Sequence, residues 1–425
     1  MGNVEFCKDD DGFRLPTGMN CRHCGQGVEQ TFVDLGASPP SNAYLTGDSL
    51  AAPETHYPLR VLVCTYCWLV QTQDFALAGE LFNQDYAYFS SVSETWLAHA
   101  ARYASMIIGR LGLDRDSRVI EIAANDGYLL KNFVAAGIPS LGIEPTASTA
   151  SAAEALGIPI LRSFFGADCA ERIAAEFGKA DLVIGNNVYA HVPDINDFTS
   201  GLKGVLKSGG TITLEFPHLM ELMAKTQFDT IYHEHFSYLS LHTVKTMFER
   251  VGLRVWDVEQ LPTHGGSLRI YGCHSDDPRT GAESVRRILD EELASGLCDA
   301  STYEKFQLMT DRVKDDFLDF LIKRKRQHLS VAGYGAAAKG NTLLNYAGVR
   351  PDLLPYVCDA AASKQGKFMP GSRIPILHPG VLRERKPACI LIFPWNIAEE
   401  VIMQHRYARD WGARFVTMVP NLREL

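Results

Sequence analysis

Residues 118–130 read RVIEIAANDGYLL. A strand-length apolar run passes through a short polar turn, Ala-Asn-Asp-Gly, and resumes as a helix-forming segment. This order puts a helix N-terminus and exposed backbone amides at the carboxyl end of a strand, where the polar end of a cofactor is received. The next β-rich segment, SLGIEP, ends at Glu144. That is about 20 residues further on, where an acidic side chain accepts both hydroxyls of a ribose. The candidate cofactor residues are therefore Glu121, Ala123, Asn125, Asp126, Gly127 and Glu144, with Asn187 at the end of ADLVIGNN. Ala123 and Asn125 stand where glycines often occur in such loops. A dinucleotide and an S-adenosyl cofactor both fit at this point.

Outward from this unit, RVIEIAA, SLGIEP, ADLVIGNN, GGTITLEFP, LRVWDVEQ and SLRIYGC alternate with amphipathic stretches between residues 117 and 273. That alternation predicts a parallel sheet covered by helices. From 276 to 328 the pattern is helical, with Phe317, Phe320 and Leu321 at helical spacing. A second α/β alternation then runs through LSVAGYG, PYVCDA and ACILIFPW, and predicts a further Rossmann-like unit that echoes the first. The expected division is 1–80, 81–275 and 276–425, in line with roughly 150 residues per domain.

Residues 1–80 carry two CxxC pairs, Cys21/Cys24 and Cys64/Cys67. Each pair offers two thiolates from one tight turn, and four thiolates at about 2.3 Å complete a tetrahedral zinc site. With no position left for water, the ion is structural and replaces the core that so short a segment lacks. His23, inside the first pair, is expected to point outward. Cys7, Cys169 and Cys298 are isolated and read as packing residues. Ten cysteines, four of them clustered, suit metal binding in a reducing compartment. The acidic N-terminus, MGNVEFCKDDDG, lacks the basic and apolar character of a secretory signal, so a cytoplasmic protein is expected. No apolar run reaches the roughly 20 residues of a membrane span. The formal charge of −9 has the wrong sign for nucleic acid or an anionic membrane.

The densest titratable cluster is IYHEHFSYLS, with Tyr232, His233, Glu234 and His235 in succession beyond the fifth strand. An imidazole there can accept a proton at neutral pH, and a neighbouring carboxylate can orient it. The same residue types can hold a metal, although HxH lacks the i, i+4 spacing of zinc hydrolases. His191, after the fourth strand, faces the same cleft or caps its own loop. GYGAAAKGN supplies Gly333, Gly335 and Gly340, with Lys339 available to a phosphate at a helix start. Asp359 follows about 20 residues later, which leaves a nicotinamide cofactor open.

The two CxxC pairs, DYAYFSSVSETW, EIAANDGYLL, NNVYAHVPD, IYHEHFSYLS, HGGSLRIY, GYGAAAKGN and PGSRIPI occur in this order. Through nearly the whole chain they resemble the nucleotide-sugar C-3 methyltransferases of deoxysugar biosynthesis. ADLVIGNN and LKSGGTITLEFP are likewise similar to strands four and five of class I S-adenosylmethionine methyltransferases. The resemblance implies an α/β fold in three parts: a small zinc-binding domain at 1–80, a class I Rossmann-like methyltransferase domain at 81–275, and a helical connector with a second Rossmann-like, nucleotide-sugar-binding domain at 276–425. It implies S-adenosylmethionine and structural Zn2+ as cofactors, and a nucleotide-diphosphate 4-keto-6-deoxysugar as substrate. His235 would remove the C-3 proton, and the resulting enolate would attack the methyl group in line. Tyr232, His191 and Tyr86 would bond the enolate oxygen, where fixed donors lower the barrier most, and Glu234 would support the cluster or hold the sugar. Tyr88 would line the cleft, Lys339, Asn341 and Arg373 would take the diphosphate and nucleotide, and Trp395 reads as packing. No nucleic-acid or membrane partner is expected, and the protein is read as a monomer or homodimer. The rival readings are a sugar O- or N-methyltransferase, a nicotinamide-dependent sugar oxidoreductase and a zinc-ribbon nucleic-acid binder.

Overall fold

A computed structural model describes residues 19–75, 89–92 and 94–425. The N-terminal part pairs β1 (Met19–Asn20) with β2 (Gly27–Val28), and then builds a sheet from β3 (Gln30–Ser38), β4 (Tyr57–Val63) and β5 (Val70–Thr72). A fourth strand comes from far along the chain: β11 (Ser237–Tyr238) pairs antiparallel with β5, Ser237 opposite Gln71 and Tyr238 opposite Val70. Two residues past His235, the titratable segment thus becomes an edge strand of the N-terminal sheet.

The central sheet has seven strands: β6 (Val119–Ile122), β7 (Ser140–Ile143), β8 (Ile160–Leu161), β9 (Ala180–Asn186), β10 (Leu206–Pro217), β12 (Leu253–Leu261) and β13 (Ser267–His274). Their order is β12-β13-β10-β9-β6-β7-β8. β6 is buried at all four positions, as a strand covered by helices on both faces must be. The expected parallel sheet needs one correction. β13 inserts antiparallel between β10 and β12, because a short loop at 262–266 returns the chain directly instead of through a crossover helix. The chain winds from β6 to β7 and β8, then returns to place β9 on the other side of β6. The crevice at that reversal, beyond the carboxyl ends of the strands, is where open α/β sheets bind ligands.

Helices Glu283–Ala294, Ala300–Glu304 and Phe306–Arg326 lead to the last sheet. It contains β14 (Val331–Tyr334), β15 (Val357–Cys358), β16 (Ile376–Leu377), β17 (Cys389–Ile392), β18 (Arg414–Thr417) and β19 (Arg423–Glu424), in the order β16-β15-β14-β17-β18-β19. Phe306, Phe317, Phe320 and Leu321 of the long helix share one apolar cluster with Phe32 and Val61 of the N-terminal sheet and with Leu343 and Val357 of the C-terminal unit. Phe32 stacks on Phe306 at 4.3 Å. The small N-terminal core is therefore completed by the connector as well as by its cysteines.

Candidate active site

The cofactor loop leaves β6 through three residues with left-handed backbone: Ala123 (φ 57°), Asn125 (φ 50°) and Gly127 (φ 76°). At Gly127 a Cβ would lie 2.4 Å from Ile158 and 3.3 Å from the Ala153 backbone, so only glycine fits. Ala123 holds the same region at a penalty of roughly 1–2 kcal/mol. The Glu144 carboxylate clamps the loop, accepting from the amides of Asn125 (3.0 Å) and Thr146 (2.9 Å). Asn125 Oδ1 and Asp126 Oδ2 accept from the Ser90 and Ser91 amides at 3.0 Å. What the loop leaves unsatisfied is all of one kind. Both oxygens of buried Glu121, Asp126 Oδ1, Asn186 Oδ1 and Asn187 Oδ1 are shielded from water and lack hydrogen-bond partners among the described residues. The Leu130 amide, close to Glu121, favours its ionised form. Burial, together with Glu144 and Asp126 nearby, raises the Glu121 carboxyl well above its usual range. A row of buried acceptors at the ends of β6 and β9 calls for a ligand rich in donors, and the ammonium, ribose hydroxyls and adenine amine of S-adenosylmethionine are such a set.

The segment beyond β10 brings His235 to the same crevice. Its Nδ1 lies 2.7 Å from the Thr230 carbonyl. A carbonyl only accepts, so this network assigns the proton to Nδ1 and leaves a lone pair on Nε2. The backbone on either side is pinned: Phe236 N donates to Ala190 O (2.8 Å) and Thr72 N donates to Phe236 O (3.1 Å). The Tyr232 ring lies 4.0 Å from the imidazole and that of His191 4.6 Å. Burial first, then His191, His264 and Lys339, hold the His235 pKa well below 6.5, so the ring is neutral at pH 7. His191 donates from Nδ1 to Glu234 O (2.8 Å), and burial brings it to about 4. The Glu234 carboxylate receives Asn42 Nδ2 at 2.8 Å on both oxygens. His233 turns the other way, with Nε2 3.2 Å from the carbonyls of Tyr57 and Pro58.

Across the crevice, Lys339 Nζ donates to Asn396 Oδ1 (2.7 Å) and stands 4.2 Å over the Trp395 ring. Burial lowers it to about 8 against the opposing pull of Asp229. Trp395 is more than packing, since its Nε1 donates to Asp229 Oδ2 at 2.7 Å. Asn341 and Arg373 do not join this group. Asn341 Nδ2 donates to Ser41 O (2.6 Å), and Arg373 donates to Leu50 O (3.1 Å) beside Glu54. Tyr86 and Tyr88 lie outside the described residues. Sequence reasoning passed over Asn42, Thr230, Asp229 and His264. For the last, HGGSLRIY was a landmark without a role; Asn42 carried no signal at all.

The sulfurs of Cys21, Cys24, Cys64 and Cys67 lie within 4.8 Å of one another. The shortest pairs, Cys21/Cys67 and Cys24/Cys64, are 3.5 Å apart. Tetrahedral thiolates at 2.3 Å from zinc are separated by about 3.8 Å, so the donor set fits the ion. His23 corrects an expectation: it is buried, and its Nδ1 meets Asn196 Oδ1 at 2.8 Å. Asn196 Nδ2 in turn donates to His23 O at 2.9 Å. The ring points inward because the first CxxC turn packs on the methyltransferase domain.

Three family models cover the chain: a zinc binding domain (residues 21–82), a methyltransferase domain (96–258) and a C-methyltransferase C-terminal domain (262–420). The C-methyltransferase NovU of Streptomyces niveus is 34% identical over 403 residues, 95% of this chain and 96% of that protein. The chain belongs to the C-methyltransferase family. It is an S-adenosylmethionine-dependent C-methyltransferase with a zinc-binding N-terminal domain. Among solved structures, the S-adenosylmethionine-bound magnesium protoporphyrin IX methyltransferase of Synechocystis PCC 6803 is 14% identical, covering 43% of this chain and 82% of its own, with a TM-score of 0.32. A methyltransferase in complex with Trm112 from Haloferax volcanii is 16% identical, covering 43% and 91%, with a TM-score of 0.34. These distant likenesses add nothing to the family assignment. Among the described residues, no helix of this C-methyltransferase is long and apolar enough to cross a membrane.

Proposed function

We propose that the enzyme methylates C-3 of a nucleotide-diphosphate-linked 4-keto-6-deoxysugar. The observation that carries this reading is His235: a neutral, buried imidazole whose Nδ1–H is fixed on Thr230 O, so that a lone pair on Nε2 is presented as a base. Carbon becomes a nucleophile only when a proton is removed beside an electron-withdrawing group, and a C-4 ketone acidifies the hydrogen on C-3. Bound S-adenosylmethionine supplies the electrophilic methyl group.

In this reading Nε2 of His235 takes the C-3 proton, and the Thr230 carbonyl stabilises the imidazolium that forms. Tyr232, its ring tilted against that of His235, donates to the oxygen that becomes the enolate. Tyr86 is the second expected donor. His191, whose Nδ1–H is committed to the Glu234 carbonyl, lines the sugar pocket beside His235. Glu234, held by Asn42, keeps that carbonyl in place, and Lys339 faces the diphosphate. Asn341 and Arg373 act by holding residues 41–54 against the C-terminal unit.

The test uses a panel of nucleotide-linked 4-keto-6-deoxysugars in D2O. Wild-type enzyme exchanges deuterium at C-3 and yields a C-methylated product by mass spectrometry. His235→Gln loses both by about 10²–10⁴-fold while binding S-adenosylmethionine normally. Wild-type exchange in that variant, or a methyl group found on oxygen or nitrogen, would sink the proposal.

A further inference from the structure

We infer that His264, together with Lys339, receives the diphosphate of the substrate. The inference rests on the nucleotide-sugar reading and adds a residue to it. His264 lies in the short turn between β12 and β13, at the end of the sheet where β10 finishes, since Pro217 pairs with Ser267. Its backbone is left-handed (φ 52°, ψ 23°), a region that few residues other than glycine enter. The crowding around the turn is visible in the next two residues. A Cβ on Gly265 would come within 2.4 Å of Trp395, and one on Gly266 within 2.6 Å of Glu221. The turn is thus pressed against the C-terminal unit, and the His264 ring packs 5.3 Å from Trp96.

In that position Nε2 is shielded from solvent and has no hydrogen-bond partner among the described residues. A buried ring nitrogen without a partner is either destabilising or reserved for a ligand. The surrounding field indicates which ligand. Burial lowers His264 most; Lys339 lowers it further, Glu215 opposes, and His99 and His191 add smaller downward pulls, leaving the ring at about 4. Asp229 offsets Lys339 only in part, being itself raised to about 6 by burial. Lys339 and a shielded ring nitrogen without a partner among the described residues, in a chain of net charge −9, form a site for an anion. As the diphosphate enters, it relieves that repulsion, His264 takes up a proton, and its N–H donates to a phosphate oxygen as a charge-assisted bond.

Calorimetric titration of the zinc-loaded, full-length protein with thymidine, uridine, cytidine and guanosine diphosphates and with inorganic pyrophosphate tests this. His264→Asn is the variant of choice, because asparagine tolerates left-handed backbone. The expected result is tight binding of at least one nucleoside diphosphate by wild type, weakened about tenfold or more in H264N, with S-adenosylmethionine affinity unchanged. In ¹⁵N-histidine-labelled wild-type protein, the same diphosphate should move the titration of His264 upward by about one pH unit or more. Equal diphosphate affinity in H264N, or an unmoved titration, overturns the inference and leaves the nucleotide-sugar reading standing. Loss of both ligands in H264N assigns the ring an architectural role and also overturns it. Failure of wild type to bind any of these anions overturns the nucleotide-sugar reading and the inference together.

Discussion

In the methyltransferase sheet the strands run β8-β7-β6-β9-β10, with antiparallel β13 beside the last; in the C-terminal sheet they run β16-β15-β14-β17-β18, with antiparallel β19 in the corresponding place. The correspondence extends to an acid after the second strand. Glu144 accepts two backbone amides, and so does Asp359, from Ala336 (2.7 Å) and Ala361 (2.8 Å). The difference lies in what meets each loop. In the first, Glu121, Asp126, Asn186 and Asn187 keep buried oxygens without partners among the described residues. In the second, the Ala336 carbonyl already receives Tyr44 Oη (2.5 Å) and Lys364 Nζ (2.9 Å). The third residue of β6 is Glu121; the third of β14 is Gly333, where even a Cβ would strike Phe393 at 2.7 Å. Strand order creates a crevice in both units, and the row of acidic and amide acceptors Glu121, Asp126, Asn186 and Asn187 marks the one that suits an adenosyl ligand.

The largest expected effect separates the two acids. Glu144→Ala should weaken S-adenosylmethionine binding about 10–100-fold, because it removes the clamp on the loop together with the proposed ribose acceptor. Asp359→Ala should leave that affinity within about threefold and instead lower unfolding stability by about 1–3 kcal/mol, the penalty for two orphaned amides. Calorimetry and urea denaturation on both variants decide it. If Asp359→Ala weakened the cofactor as strongly as Glu144→Ala, the contrast between the loops would be broken.

Glu121 gives the next largest effect, and a sign. Its folded pKa lies above the ordinary 4.5, so the folded protein keeps a proton that the unfolded chain releases. Stability therefore falls as pH rises above about 4.5, by up to about 1.4 kcal/mol per pH unit, until the folded group itself ionises. Glu121→Gln cannot ionise, and its stability should lack that slope. The variant should be the more stable at pH 7 without cofactor and the weaker binder of S-adenosylmethionine. Parallel pH slopes for the two proteins would show that Glu121 is not a buried acid awaiting a cationic ligand.

The same contrast explains what could be read from the chain. Strands, crossovers and the cysteine quartet are local patterns, so RVIEIAANDGYLL, the two CxxC pairs and IYHEHFSYLS announce themselves by spacing. The partners that tune them are not local. Asn42 reaches Glu234 across 192 residues, and Trp395 reaches Asp229 across 166; no periodicity encodes either. His23 was misjudged for the same reason, because its partner Asn196 belongs to another domain. The proton on His235 Nδ1 likewise follows from the fold of Thr230 back onto the ring and from nothing in the residue order.

The smallest effect lies in the loop backbones and runs in opposite directions. Ala123 occupies left-handed space that glycine enters freely, so Ala123→Gly relieves roughly 1–2 kcal/mol of local strain. It also frees the unfolded chain, which offsets roughly 0.5–1 kcal/mol. The net gain should be about 0.5–1 kcal/mol in denaturant midpoint experiments, with cofactor affinity lowered because the loop is no longer held in one shape. At the matching loop Gly335 has φ 88°, and a Cβ would stand 2.4 Å from Pro394 Cδ. Gly335→Ala should therefore destabilise by about 1–3 kcal/mol and leave S-adenosylmethionine binding unchanged. A first loop that carries strain to hold a ligand and a second that uses glycine to close on itself predict this reversal of sign. Two substitutions shifting stability in the same direction would mean that the left-handed alanine is simply tolerated and that the loops differ in sequence but not in purpose.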